Sequence, residues 1–158
     1  MVKLIQIDLA QHRYTVIQFR KDSFVVSLGD ASGLGGDEHY LQWLEDKIFK
    51  YRAGFVFIEE DGKPIGQLEL MIREYEGRSI GYTSLHYLLT ESRGKGKGCT
   101  LHNYARKFFK DNEVNEYHLR VSPTNRAALK FYPALTGIKT PTSRIKEIEK
   151  CRWEINCP

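Results

Sequence analysis

No apolar run in this sequence approaches the roughly 18 residues that a helix needs to cross a bilayer, so a membrane-spanning helix is excluded and no membrane partner is expected. Cysteine is scarce. Cys99, Cys151 and Cys157 are odd in number and share no metal-ligand spacing, which points to free thiols in a reducing cytoplasm and to no bound metal. His12, His39, His102 and His118 likewise show neither metal nor triad spacing. Repeats, low-complexity tracts and linkers are lacking. Neither sign of charge dominates: the net charge of +4 suits an anionic ligand but is too weak to argue for nucleic acid by itself. What remains is an ordinary globular composition, 41% hydrophobic and 28% charged over 158 residues. That length fits one domain spanning 1–158 with a single sizeable core.

Along the chain, Val2 to Leu9 alternates apolar and polar residues and carries charge, so it reads as a first strand rather than a secretory leader. From Gln11 to Leu28, Tyr14, Ile17, Phe24, Val25 and Leu28 fit a helical face only loosely, and the aromatic and β-branched content leaves a strand open. A glycine-rich loop follows over 29–36. Asp37 has the chemistry of an N-cap for a helix with apolar positions Tyr40, Leu41, Leu44, Ile48 and Phe49. Next come three strands, Gly54 to Glu60, Ile65 to Tyr75 and Ile80 to Leu89, separated by turns at Asp61-Gly62 and Glu76-Gly77-Arg78, which make an antiparallel meander. A helix with a clean stripe at Leu101, Tyr104, Ala105, Phe108 and Phe109 follows. Then a short strand, Tyr117 to Val121, leads through Ser122-Pro123-Thr124 to a helix with Ala128, Phe131, Tyr132 and Leu135 on one face. The tail is expected to add one or two strands, with Arg152 to Ile155 the better candidate. This order predicts a mixed α+β sheet.

The informative segment is Arg93-Gly94-Lys95-Gly96-Lys97-Gly98, between a strand and a helix. Alternating glycines let several backbone N–H groups converge, and the helix start adds unpaired N–H groups and the positive end of its dipole. That is a receptor for phosphate oxygens. A nucleotide P-loop would end Gly-Lys-Ser/Thr, whereas this segment ends Gly98-Cys99-Thr100. A dinucleotide fingerprint needs a parallel βαβ unit, not a meander. An RNA-binding loop would interleave aromatics for stacking, and a bare exposed turn is the remaining alternative.

Arg93, Gly96 and Gly98 match a pattern of Gln or Arg, two residues, Gly, one residue, then Gly or Ala. Downstream, Asn125, Ala128 and Tyr132 match Asn-x-x-Ala-x-x-x-Tyr. The two motifs, one helix and one strand apart, resemble those of the GNAT superfamily of acetyl-CoA-dependent N-acetyltransferases, over about Gly54 to Leu135. The resemblance implies a central, mostly antiparallel sheet of about six or seven strands, splayed at the cofactor site and flanked by about four helices. It implies acetyl-CoA as co-substrate, with Leu88, Leu89 and Thr90 offering backbone groups to the pantetheine arm. Arg93, Gly94, Lys95, Gly96, Lys97, Gly98 and Cys99 would hold the pyrophosphate. Asn125 would contact the arm, and Tyr132 would lie near the sulfur. The sequence departs from the family after Tyr132: Pro133 to Ile138 carries one extra residue and no aromatic before the last strands, and Pro133 should disturb the helix.

Acetyl transfer to an amine by direct attack needs a proton acceptor, because an alkylamine of pKa about 10.4 is mostly protonated at neutral pH. Glu69, flanked by Leu68 and Leu70, is the first candidate if it faces the acceptor, and a solvent-facing Glu69 is the alternative, since a one-residue error in facing reverses the assignment. His86 is the second candidate base. A backbone N–H near Leu88 or Leu89 would serve the oxyanion, and Tyr132 would protonate the leaving thiolate. Cys99 lies beside the pyrophosphate, too far from the acyl group for a nucleophile, and Tyr40, Trp43 and Tyr51 read as core aromatics. The acceptor is an amine of a small molecule or a protein, and homodimerisation is open. A silent acyl-CoA sensor and a basic nucleic-acid-binding domain are the competing functions.

Overall fold

The computed structural model describes residues 1–29, 31–119, 125–136 and 149–152. In chain order these form β1 (Val2–Gln6), α1 (Leu9–Leu28), α2 (Asp37–Lys50), β2 (Phe55–Glu60), β3 (Lys63–Tyr75), β4 (Arg78–Leu88), α3 (Lys97–Asp111), β5 (Glu116–Leu119), α4 (Arg126–Thr136) and β6 (Glu149–Arg152). The strands make one sheet in the order β1-β2-β3-β4-β5-β6. All neighbours are antiparallel except β4 and β5, which run parallel. This is the mixed α+β architecture, six strands and four helices among the described residues, that the sequence pattern implies.

The segment left open between helix and strand is α1. Asp8 caps it, its Oδ1 accepting from the Ala10 N–H at 2.9 Å. Gly29 closes it in the left-handed region, φ 87°, with its N–H on the Val25 carbonyl, where a side chain would be strained. Among the described side chains of this helix only Val16 and Phe19 are buried, while Tyr14, Val25 and Val26 are exposed. The apolar stripe is therefore narrow and interrupted. The N-cap of α2 is Gly36 rather than Asp37. Asp37 is instead the first helical residue, where its carboxylate meets the positive end of the dipole and pairs with Lys21 at 3.2 Å. Phe49 lies outside the buried face, 93% exposed.

The meander forms as expected, each hairpin turning through two consecutive positive-φ residues, Asp61-Gly62 and Glu76-Gly77. Helices cover both faces of the sheet. On one side α3 packs Leu101, Phe108 and Phe109 against Val56, Leu68 and Leu70. On the other, α1 and α2 pack Val16, Phe19 and Leu44 against Phe55, Phe57 and Met71. Among the described residues, no helix is long and apolar enough to cross a membrane.

Two features position the site. β5 pairs with β4 only at Gly81, Tyr82 and Thr83, so 84–88 of β4 have no strand partner on that side among the described residues. α4 runs on through Pro133 to Thr136, so the proline falls inside the helix near its end without breaking it. β6 pairs with β5 from Glu149 to Arg152, earlier than the Arg152 to Ile155 stretch expected. Residues 120–124, the sequence after Thr136 as far as 148, and 153–155 lie outside the described residues.

Candidate active site

The unpaired end of β4 runs into a 3-10 turn, Thr90–Ser92, and then into the glycine loop. Arg93 anchors the junction: its Nε and Nη2 donate to the Leu88 carbonyl at 2.9 and 2.8 Å. Gly94 and Gly96 have φ of 70° and 77°, a region that glycine enters without steric cost. Gly96 is the N-cap of α3 and makes no side-chain capping bond. The first-turn N–H groups of α3 therefore have no intrahelical partner, as at any helix start. Gly98 is small for another reason: a Cβ there would lie 3.0 Å from the Phe131 ring of α4.

Between this loop, the end of β4, the second half of α1 and the start of α4 lies a cavity of about 430 Å³. Leu88, Arg93, Gly94, Gly96, Gly98, Cys99 and Asn125 line it together, so two motifs 27 or more residues apart in sequence meet at one opening. Ser23, Val26 and Ser27 of α1 complete the wall. Nothing in the α1 sequence marked them. Asn125 caps α4, its Oδ1 accepting from the Ala128 N–H at 3.2 Å, and its Nδ2 donates to Ser27 Oγ at 3.3 Å. Leu89, Thr90, Lys95 and Lys97 are not among the lining residues. The Lys97 ammonium lies 2.7 Å from Glu60 at the end of β2. The Tyr132 side chain lies outside the described residues.

His86 lines the cavity on the α3 side, edge-on to Phe131 with ring centroids 5.5 Å apart. Desolvation, with nearby His102 adding to it, pushes its pKa down to about 3, against a hydrogen bond with the Gly98 backbone. The imidazole is neutral at physiological pH and a weak base. Tyr87 faces the other side, its hydroxyl 3.4 Å from Asp22 of α1, and burial beside that carboxylate pushes its pKa up to about 12.

Glu69 does not face solvent. It is 3% exposed, paired across the sheet with Phe55 and Leu85, on the face covered by α1 and α2. Its Oε1 accepts from the Tyr40 hydroxyl and from Gln67 Nε2, the latter at 2.9 Å, and its Oε2 accepts from Ser84 Oγ at 2.8 Å. Gln67 Nε2 also donates to the Tyr40 oxygen at 3.1 Å. The Arg20 guanidinium stacks 4.3 Å from the centroid of the Tyr40 ring. Burial raises the Glu69 pKa above the ordinary carboxylate range, opposed by its three hydrogen bonds and by Arg20. Tyr40 is the core aromatic its sequence position suggests, yet its hydroxyl serves this carboxylate. The one sequence signal for the network is Gln67 and Glu69 at i and i+2, two polar side chains on one face of the otherwise apolar stretch from Ile65 to Ile72.

The sequence model described as the Acetyltransferase (GNAT) family matches residues 16–137. The fold is shared with solved structures of the same class. A PaiA N-acetyltransferase from Thermoplasma acidophilum, in complex with coenzyme A, aligns with TM-score 0.65 and 21% identity, covering 85% of this chain and 87% of that one. A predicted acetyltransferase from Clostridium acetobutylicum, with acetyl-CoA, aligns with TM-score 0.71 and 16% identity over 91% and 94% of the two chains. An Arabidopsis thaliana structure with the bisubstrate analogue CoA-Ac-MVNAL aligns with TM-score 0.60 and 19% identity over 84% and 80%. No curated protein sequence matches the chain at a significant level. The fold and the paired motifs define an acetyltransferase-type domain. The chain belongs to the GNAT acetyltransferase family.

Proposed function

We propose that this chain binds acetyl-CoA in the cavity beside β4 and transfers its acetyl group to an amine by direct attack in a ternary complex. The observation that carries the reading is the meeting of the glycine loop, the unpaired end of β4 and the Asn125 end of α4 around one cavity. Backbone N–H groups of 94–99 at the α3 start suit a pyrophosphate. The edge of β4 over 84–88, which has no strand partner on that side among the described residues, offers its main-chain groups other than the Leu88 carbonyl held by Arg93 to an extended amide-containing arm, as a sheet edge does to a peptide. Leu89 and Thr90 follow that edge into the 3-10 turn and carry it to the glycine loop, and Asn125 faces it across the cavity.

Acetyl-CoA supplies an activated thioester carbonyl, and the chain must then handle protons. Glu69 is the base in this reading. A carboxylate with its pKa raised by burial is better matched to neutral pH than an exposed one. The neutral, weakly basic His86 suits the role less well. Tyr132, placed by its motif, protonates the departing thiolate. Nucleic-acid binding through the loop is less well supported, because the Arg93 guanidinium is committed to the Leu88 carbonyl and the Lys97 ammonium to Glu60.

The binding half of the reading is tested by melting. A ligand that binds only the folded state adds about 2.7 kcal/mol at a hundredfold excess over its dissociation constant. A clear rise in Tm with acetyl-CoA or CoA is expected, and no rise at millimolar CoA would contradict the reading.

A further inference from the structure

Glu69 is sealed from the cavity by its own burial, so a proton can reach it only through a group it already touches. It has three such partners. Tyr40 and Gln67 are buried, at 7% and 0% exposed. Ser84 alone is exposed, and its Oγ lies 2.8 Å from Glu69 Oε2, while the other two partners share Oε1.

The backbone explains why Ser84 has this reach. Glu69 pairs with Leu85 and Leu70 with Thr83, so Ser84 is the extra residue of a β-bulge, a device that re-aims a side chain. Among the described residues it is also the first of β4 beyond the segment that β5 covers. Along the same strand, Leu88 adjoins the glycine loop. At about 3.3 Å per residue, Ser84 stands roughly 13 Å upstream of Leu88, comparable to the reach of an extended pantetheine arm. An arm lying on this edge from the loop would bring its thioester toward Ser84.

The geometry points to Ser84 as a catalytic residue that relays a proton from the acceptor amine to Glu69, with Tyr40 and Gln67 as positioning residues on the far oxygen. This rests on the acetyl-transfer reading above. The acceptor arrives as an ammonium. One N–H proton passes to Ser84 Oγ as the hydroxyl proton of Ser84 passes to Glu69 Oε2, so the serine ends as it began and Glu69 is neutral. The freed nitrogen lone pair forms the C–N bond, and the C–S bond breaks with its electron pair leaving on sulfur. Tyr132 gives its proton to the thiolate and is reprotonated by the second proton lost by nitrogen, and Glu69 returns its proton to solvent through Ser84. The groups facing Glu69 suit this traffic: Arg20 from α1 is the cation that favours its ionised form, Tyr40 from α2 donates to it, and burial opposes ionisation.

Steady-state kinetics across pH on Ser84→Ala, Ser84→Thr, Glu69→Gln and the Ser84→Ala/Glu69→Gln pair tests the relay. Ser84→Ala should lower kcat on the order of tenfold to a hundredfold, the range of a general acid–base contribution. The loss should persist on the high-pH plateau, whereas a serine that only tunes the Glu69 pKa would be rescued there. Ser84→Thr, which keeps the hydroxyl, should recover most of the loss. The double variant should be no slower than Glu69→Gln alone, because groups acting in series do not lose rate independently. An active wild type with an undiminished Ser84→Ala rate, or with losses that multiply in the double variant, overturns the relay and leaves acetyl transfer standing. A wild type that releases no thiol with any amine removes both.

Discussion

Arg93 holds the end of β4 in a fork, Nε and Nη2 both donating to the single carbonyl oxygen of Leu88. The motif arginine therefore orders the start of the glycine loop relative to the strand edge. A lysine carries the same charge but not the planar fork. Arg93→Lys should weaken CoA binding by about tenfold, the equivalent of one or two ordinary hydrogen bonds, as measured by calorimetric titration. Affinity equal to wild type would mean that the fork is dispensable.

Gly98 and Phe131 are packed so that a Cβ on the glycine would sit 3.0 Å from the ring, whereas a Cβ on Gly96 would meet nothing within 4 Å. Gly98→Val should therefore lower both Tm and CoA affinity by displacing α4. Gly96→Ala should cost about 1–2 kcal/mol through its positive φ alone. Adding Phe131→Leu to Gly98→Ala should recover Tm but should not help Gly96→Ala, which differential scanning calorimetry would resolve.

Much of this was legible in the sequence, and the gaps have physical causes. The meander could be read because its turns carry Asp-Gly and Glu-Gly and its strands are long. The two cofactor motifs are local patterns, so the loop and Asn125 could be found without a fold. α1 stayed ambiguous because its exposed Tyr14, Val25 and Val26 blur the helical period. The facing of Glu69 could not be read. Both faces of β3 are covered by helices, which removes the alternation that normally reveals a strand's inside, and the bulge at Glu69/Leu70 shifts the register besides. Pairings across long separations, such as Lys97 with Glu60 or Asn125 with Ser27, leave no local trace.

Burial of Glu69 has a stability signature of its own. Its folded pKa is raised, so the native state binds this proton more tightly than the unfolded chain does. The stabilisation is complete below the ordinary carboxylate pKa and is lost as pH rises through the folded value. Glu69→Gln keeps the acceptor oxygen for Tyr40 and Gln67 and removes the charge. Its Tm relative to wild type should therefore rise between acidic and neutral pH, while kcat falls by about a hundredfold. A Tm difference independent of pH would contradict the assigned burial cost.

His86 and His102 behave in the opposite sense. Desolvation pushes their pKa values down to about 3 and about 4, so the fold prefers both neutral. Their stabilisation is present above the unfolded pKa of about 6.5 and is lost as pH falls toward the folded values. Urea unfolding of His86→Gln at pH 7 and pH 4.5 should show a smaller acid-induced loss than wild type. An equal loss in both proteins would remove His86 from the acid response.

Turnover bears most directly on the central claim. The protein is incubated with acetyl-CoA and a panel of amines, from small alkylamines and aminoglycosides to peptides with free α-amino groups and lysines. Free thiol is followed continuously, and each amine is weighed by mass spectrometry. The account predicts that at least one amine releases CoA thiol in step with a product heavier by one acetyl group, and that Glu69→Gln slows that release. Saturable binding of acetyl-CoA with no thiol above the amine-free background for any acceptor would contradict it, and would leave the chain an acyl-CoA-binding sensor.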